Sequence, residues 1–168
     1  AGPLDMRMNP SHGEPASKLL GHLSEEKVCA LLEENADEPH ATIIAGVLKG
    51  RPLETTGELE RVVRNGLIAA MPRVTEEDVA MSIRRTFQAL RIAVNDEFGV
   101  LDALLRSLPL CLAPGGRVAF LTFHSGEDRR VKKAFQAGHR DGIYREISPD
   151  ILRAGAAETR ANPRATSA

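Results

Sequence analysis

The chain has 168 residues, of which 42% are hydrophobic and 27% are charged, and its formal net charge is -1. Such values are typical of an ordinary globular domain, and a chain of this length buries enough apolar surface to fold without disulfides or structural metals. The balanced charge excludes a broad electrostatic attraction to nucleic acid or to an anionic membrane, so any contact with a polyanion must be local.

The apolar runs, the cysteines and the histidines indicate the expected cellular location and whether a membrane or a metal is bound. No apolar run approaches the roughly 20 residues that cross a bilayer. Cys29 and Cys111 lie in apolar stretches without neighbouring Cys or His, and the histidines lack the spacing of metal ligands. We therefore expect two buried thiols, no bound metal, no membrane partner and a cytoplasmic location.

The N-terminal part is predicted to be a loop followed by short helices. Prolines and glycines interrupt residues 1–17, which favours a loop there. Ser24 is a good N-cap residue, and helical spacing of apolar side chains continues from it to about Ala36. A second, short helix is predicted around residues 43–48, because Gly50 then provides a stop signal.

The middle of the chain is predicted to form longer helices. Thr55 and Glu58 have the spacing of a capping box, and an apolar stripe follows them up to the next proline. Thr75 begins a second candidate capping box. The helical pattern after it predicts either two helices separated at residues 95–97 or one helix broken near Gly99.

A change of pattern near residue 114 predicts a strand. Residues 114–116, Pro-Gly-Gly, favour a tight turn, and residues 118–123 form an almost continuous apolar run of strand length. Ser125 is the expected N-cap of the helix that follows, and residues 143–147 are a second, weaker strand candidate. A strand covered on both faces needs several neighbours, so either a partner completes the sheet or the missing strands lie upstream of Ala1, and we expect the second.

Three motifs, in this order, carry a family resemblance: Gly-Pro-Leu-Asp-Met-Arg-Met at residues 2–8, Arg-Thr-Phe-Gln-Ala-Leu-Arg-Ile-Ala-Val-Asn-Asp-Glu at residues 85–97, and Phe-His-Ser-Gly-Glu-Asp-Arg at residues 123–129. Together with Asn-Pro-Arg-Ala at residues 162–165, they closely resemble the MraW/RsmH family of ribosomal RNA (cytidine-N4)-methyltransferases. The resemblance runs along essentially the whole chain.

The resemblance implies an α/β fold, a Rossmann-like methyltransferase sheet that is partial in this chain because its N-terminal strands are missing, with a helical inserted domain. Residues 1–14 would be an active-site loop at the end of the first part of the catalytic domain. Residues 15–95 would be the helical substrate-recognition insert, and residues 96–168 the returning part of the methyltransferase domain. Gly126 and Thr166 depart from the family pattern, in which Leu and Arg are usual.

The implied reaction is methyl transfer from S-adenosylmethionine to the N4 amine of a cytidine in the decoding region of small-subunit (16S) rRNA, with the free rRNA or the assembled small ribosomal subunit as partner. The family's cofactor-binding elements all precede its Gly-Pro-Leu-Asp-Met-Arg motif. No cofactor-binding residue is therefore expected in this chain, and the isolated chain is expected to be an inactive fragment. The alternative is a non-catalytic RNA-binding or ribosome-assembly module, and homodimer formation stays open.

Candidate site residues follow from the motifs and from the chemistry. The cytosine amine is a poor nucleophile, so an acceptor that binds its N4–H in the transition state would speed the attack. A carboxylate or a backbone carbonyl would serve, and the resemblance makes Asp5 the candidate acceptor and His124 a second catalytic candidate. The structural alternatives are a surface ion pair for Asp5, a helix cap for Ser125, a helix-dipole interaction for Glu127 and a solvated helix face for the arginines at 84, 85 and 91. The predicted substrate-binding residues are Arg7, Arg84, Arg85, Arg91, Asn95, Ser125, Glu127 and Arg129.

Overall fold

The computed structural model of the chain describes residues 2–162 and Ala165, so Pro163, Arg164 and Thr166 lie outside the described residues. Within the described part, the helices are α1 (Ala16–His22), α2 (Glu25–Ala36), α3 (Ala41–Leu48), α4 (Thr56–Ala70), α5 (Glu76–Asn95), α6 (Glu97–Cys111), α7 (Ser125–Arg140) and α8 (Ala156–Ala161). None of them combines the length and the apolar character that a membrane crossing requires.

The helix starts predicted in the N-terminal half are confirmed. The Ser24 hydroxyl accepts a hydrogen bond at the start of α2. The Thr55 hydroxyl accepts from the Glu58 amide while the Glu58 carboxylate accepts from the Thr55 amide, which completes the capping box of α4. Asp96, in the left-handed region with φ of 49°, separates α5 from α6, so the two-helix alternative is the correct one.

The chain divides into two compact units, residues 1–97 and residues 98–168, here called the first and the second unit. In the first unit, α5 packs against α1, α2 and α4, and α3 packs against α2 and α4. Leu32, Leu59 and Leu67 are fully buried between these helices. Each such side chain stabilises the fold by roughly 1.5–3 kcal/mol relative to an exposed position.

The N-terminal segment is an extended part of the first unit. Leu4 is buried, and its amide donates to the Glu54 carbonyl at 2.8 Å while its carbonyl accepts from the Ser17 amide at 3.0 Å. Pro3 forms an antiparallel bridge with Thr55. The predicted loop over residues 1–17 is too long at its C-terminal end, because α1 begins at Ala16.

The second unit contains α6, α7 and α8 and has a smaller core. Phe98, Leu105 and Leu108 of α6 are buried, as is Val131 of α7. The rings of Phe120, Phe135 and Tyr144 pack edge to face, with centroids 5.8 and 5.5 Å apart, which adds a small aromatic cluster beside α7.

The expectation of a Rossmann-like sheet is wrong for the described residues, which form helices and no strand. The turn at residues 114–116 does form, but residues 118–123 after it are not paired, and the Leu121 side chain is 78% exposed. Residues 143–147 do not form a strand either, because the amides of Ile143 and Tyr144 donate to the carbonyl of Gly138 at the end of α7. A strand needs a second strand to satisfy its backbone groups, whereas a helix satisfies them internally.

The cysteines also differ from expectation. Cys111 is exposed near the end of α6, and Cys29 is half-buried on α2, so neither is the buried thiol that its apolar neighbours indicate. On an amphipathic helix, apolar residues one or two positions away lie on another face and do not determine the burial of the cysteine.

Candidate functional site

An ion pair between Asp5 and Arg7 lies at the centre of the first group of predicted site residues. Arg7 Nε donates to Asp5 Oδ1 at 2.7 Å and Arg7 Nη2 donates to Asp5 Oδ2 at 2.8 Å, so the contact is bidentate. The remaining terminal nitrogen, Nη1, donates to the carbonyls of Pro10 and Gly13 at 2.7 and 3.4 Å. The guanidinium therefore joins Asp5 to the turn that follows it.

Asn95 fixes this loop to the last turn of α5. Its Oδ1 accepts from the Met8 amide at 2.8 Å, and its Nδ2 donates to the carbonyls of Met6 and Arg91 at 2.9 and 2.8 Å. Met6 has a φ of 67°, a left-handed conformation that costs a non-glycine residue roughly 1 kcal/mol or more. The hydrogen bonds of Asn95 lie on both sides of Arg7 and hold the chain in this conformation.

The ion pair sets the electrostatics of Asp5. Hydrogen bonding from the Arg7 side chain lowers the pKa of Asp5 from 3.8 to about 2, and the same contact raises the pKa of Arg7. Asp5 is consequently a carboxylate at any physiological pH. It can accept hydrogen bonds through its remaining lone pairs, but it is not a base that takes up a proton.

The arginines predicted on α5 have different surroundings. Arg91 makes its own bidentate pair, donating from Nε and Nη2 to the Glu97 carboxylate at 2.8 and 3.1 Å. Arg84 is exposed and lies seven residues earlier, roughly 10 Å along the helix axis. Arg85 is half-buried and lines a shallow cavity. The structure therefore brings Asp5, Arg7 and Asn95 together. Arg91 lies one helical turn from Asn95, and Arg84 and Arg85 lie farther along α5.

The second group of predicted residues forms the N-terminus of α7 in the second unit. His124, and not Ser125, is the N-cap: its Nδ1 accepts from the Glu127 amide at 3.4 Å, and Ser125 is the first helical residue. Glu127 reaches back to accept from the Phe123 amide at 2.8 Å. An imidazole and a carboxylate thus perform the reciprocal capping that Ser or Thr and Glu usually perform.

The His124 ring is 12% exposed and packs against Phe98, with ring centroids 5.8 Å apart. Because Nδ1 accepts, the proton of the neutral ring is assigned to Nε2, which is buried and 3.5 Å from the Glu127 carboxylate. A Cβ at Gly126 would lie 2.6 Å from the Phe98 ring, so glycine allows this packing. Arg129, the last predicted residue of this group, is exposed on α7.

Sequence reasoning missed two partners of these groups. Glu97 neutralises Arg91, and Arg130 lies with its guanidinium carbon 3.6 Å from the centroid of the Phe98 ring. Glu97 belongs to the same motif as Arg91, six residues later, which is the signal that could have identified it. The stacking of Arg130 on Phe98 joins residues 32 positions apart, and periodicity carries no information about such a contact.

Two cavities of the first unit are too small and too acidic for S-adenosylmethionine. They have volumes of about 270 and 290 Å³, and aspartate or glutamate side chains line both of them. Small-molecule sites usually have volumes of roughly 300–1,000 Å³ and mostly apolar walls. Neither cavity fits the cofactor. The predicted location of the cofactor site upstream of Ala1 and the predicted absence of a metal stay predictions.

Comparison with known proteins gives consistent matches along the whole chain. The model of the MraW methylase family matches residues 1–168. A protein of Alkaliphilus metalliredigens named ribosomal RNA small subunit methyltransferase H 2 is 45% identical over 172 residues, which cover 99% of this chain and 49% of the relative. A protein of the same name from Acholeplasma laidlawii is 46% identical, with coverage of 99% and 50%. Ribosomal RNA small subunit methyltransferase H of Acidobacterium capsulatum is 43% identical, with coverage of 99% and 55%. The chain spans about half the length of these curated relatives.

Proposed function

The chain belongs to the MraW methylase family, and from that premise we propose that its protein transfers a methyl group from S-adenosylmethionine to the N4 amine of a cytidine in the decoding region of small-subunit (16S) rRNA. The names of the relatives, ribosomal RNA small subunit methyltransferases, support the reaction class and the kind of substrate. Free rRNA and the assembled small subunit are both candidate forms of that substrate.

The observation that carries the proposal is the bidentate Asp5–Arg7 pair, held against α5 by Asn95. Catalysis needs interactions that strengthen as the amine nitrogen develops positive charge. A fixed carboxylate that stays ionised supplies such an interaction by accepting a hydrogen bond from N4–H. We assign this role to Asp5, and the proton leaves for solvent after the methyl group is transferred.

The other predicted residues take supporting roles in this proposal. The observed contacts of Arg7, Arg91 and Asn95 support a role in positioning the N-terminal loop and α5. Arg84 and Arg85 are retained as proposed contacts to RNA phosphates. His124 stands as a second catalytic candidate whose observed contacts are those of a helix cap. Ser125, Glu127 and Arg129 are retained as proposed substrate contacts at the same end of α7.

S-adenosylmethionine would supply the electrophilic methyl group, and we propose that the residues that hold it lie upstream of Ala1. The 168-residue chain alone is then expected to transfer no methyl group. Calorimetric titration of the folded chain with S-adenosylmethionine tests this point, since micromolar binding would show that the cofactor site lies within the chain.

The function is tested with the full-length protein, small-subunit rRNA that lacks the modification, and S-adenosylmethionine carrying a labelled methyl group. Digestion of the RNA to nucleosides and mass spectrometry are expected to identify labelled N4-methylcytidine. Asp5→Asn is expected to lower kcat by about 10²–10³-fold, the usual effect of losing one group that stabilises developing charge. The control Glu14→Gln removes a nearby carboxylate that pairs with His22 and is expected to leave kcat unchanged.

Labelling of a different base, or a kcat of Asp5→Asn equal to that of the parent, would overturn the assignment. Tight binding of the RNA without any methyl transfer would favour the alternative, a non-catalytic RNA-binding or ribosome-assembly module.

A further inference from the structure

Charge is distributed unequally between the two units. Residues 1–97 contain eleven Lys and Arg against sixteen Asp and Glu, whereas residues 98–168 contain eleven against seven. The near-zero charge of the whole chain therefore conceals an acidic first unit and a basic second unit. A local contact with a polyanion is favoured in the second unit.

Within the second unit, the basic residues concentrate on one face of α7. The exposed side chains of this face, called the α7 basic face, are Arg129, Lys132, Lys133, Gln136 and Arg140. At about 100° per residue they point to the same side of the helix. Val131 and Gly138 are buried on the opposite side. The face carries four cations, and Nε of one of them, Arg140, lies 3.8 Å from Oδ1 of Asp141, which follows the helix.

The two lysines of the α7 basic face differ from several other cations of the chain, which make ion pairs. In the first unit, Lys49 pairs with Glu25 at 3.0 Å and Arg91 pairs with Glu97 at 2.8 Å. Within the part of the chain that the structure describes, no carboxylate lies within ion-pair distance of Lys132 or Lys133. The positive charge of these two lysines is therefore not neutralised locally.

We propose that the α7 basic face binds RNA phosphates, an inference that rests on the proposed function and adds a substrate-contact surface to it. Arg129 and Lys133 are about 6 Å apart along the helix axis, and Arg129 and Arg140 about 16 Å. A row of this length faces several successive phosphates of one strand. Such contacts orient the RNA and do not read its sequence.

An anionic membrane is the other polyanion that a basic helix can bind, and the structure disfavours it. A helix that binds a membrane in this way inserts its apolar face among the lipids. The apolar face of α7 is already occupied: Phe135 packs between Phe120 and Tyr144, and Val131 is buried. The exposed face of α7 offers charge without an apolar anchor.

The test measures binding of the full-length protein to a small-subunit rRNA fragment over a range of salt concentrations. The variant Lys132→Gln/Lys133→Gln/Arg140→Gln is expected to bind about tenfold more weakly at low salt, with the slope of log K against log salt reduced by roughly 2, about 0.7 for each lost phosphate contact. The control Lys18→Gln/Lys27→Gln/Arg73→Gln removes three exposed cations of the first unit and is expected to bind like the parent. Circular dichroism verifies folding, and Lys132→Arg/Lys133→Arg is expected to retain full binding.

The outcomes separate this inference from the proposed function. If the parent neither binds nor methylates the RNA, the proposed function fails. If the parent does both and the α7 triple variant retains its affinity and salt slope, the α7 inference alone fails. An equal loss in the control variant would also overturn it, because net charge would then explain the effect. Binding of the parent to vesicles of anionic lipid, lost in the α7 variant while RNA binding persists, would assign the face to a membrane.

Discussion

The two units of this chain contain similar proportions of hydrophobic residues, 40 of 97 and 31 of 71, but bury them to different extents. The first unit collects eighteen buried hydrophobic residues into one core built around α5. In the described part of the second unit, four hydrophobic residues are buried, and large apolar side chains such as Leu110, Leu121 and Phe123 are exposed. This difference shows that an apolar run packs into a core only where the backbone N–H and C=O groups of the run are also hydrogen-bonded.

Helices satisfy this condition locally, since each amide bonds within its own segment. In the first unit a core therefore forms once the apolar faces of the helices pack against one another. The apolar run at residues 118–123 has the composition of a strand, and a strand depends on a partner that is distant in the chain. The described residues offer no such partner, so the run remains unpaired, and its alternate side chains, Ala119, Leu121 and Phe123, are exposed.

The largest effect that tests this comparison is the cost of deleting a leucine in each unit. In the 168-residue chain, Leu32→Ala is expected to lower the free energy of unfolding by about 2–5 kcal/mol, because Leu32 is fully buried. Leu121→Ala, at a side chain that is 78% exposed, is expected to change it by less than about 0.5 kcal/mol. Urea denaturation followed by circular dichroism measures both. Equal losses would show that the two units are packed alike.

A smaller effect tests how well the backbone of the non-helical segments is hydrogen-bonded in each unit. Asn95→Ala removes the acceptor of the Met8 amide and a donor to the Met6 carbonyl, each bond being worth about 1 kcal/mol. Hydrogen exchange at the Met8 amide is expected to become several-fold faster. The unpaired amides of residues 118–122 are expected to exchange rapidly in the parent and not to change in the variant. Asn65→Ala, at an exposed position of α4, is the matched control. Slow exchange at residues 118–122 in the parent would break the comparison.

The smallest effect is the pH dependence of the Asp5–Arg7 pair. Because the pKa of Asp5 is lowered from 3.8 to about 2, the pair stabilises the folded state fully above pH about 4, and this contribution is lost as the pH falls through about 2. The difference in urea midpoint between the parent and Asp5→Asn is therefore expected to shrink between those pH values. Arg7→Gln should remove the same pH dependence, and the double variant should add nothing further. A difference that is constant with pH would show that the pair does not form in solution.

The elements that sequence reasoning predicted correctly are those with local determinants. The boundaries of α2 and α4 followed from Ser24 and from the Thr55–Glu58 capping box, in which cap and helix are neighbours in sequence. The end of α5 was located at residues 95–97, although the left-handed residue there is Asp96 and not the glycine that such positions favour. The N-cap of α7 was misplaced by one residue, because histidine is an unusual cap and Ser125 beside it a common one.

The sequence predicted candidate site residues but not how they are arranged. The motifs at residues 2–8 and 85–97 identified Asp5, Arg7 and Asn95, yet they gave no indication that Asn95 binds the backbone of the loop. That contact depends on the left-handed turn at Met6 and on a sequence separation of almost ninety residues. The short helix α1 was missed because it follows Pro15 and has no side-chain cap.

The hydrogen bonds from Arg7 to the turn that follows it have a consequence for how the chain tolerates insertions. By donating to the carbonyls of Pro10 and Gly13, Arg7 closes the exposed turn over residues 8–13 at its base. The tip of a closed turn can be lengthened at little entropic cost, because the loop-closure penalty grows only slowly with length. Insertions between Pro10 and Gly13 are therefore absorbed by the turn, while Asp5 keeps its place against α5.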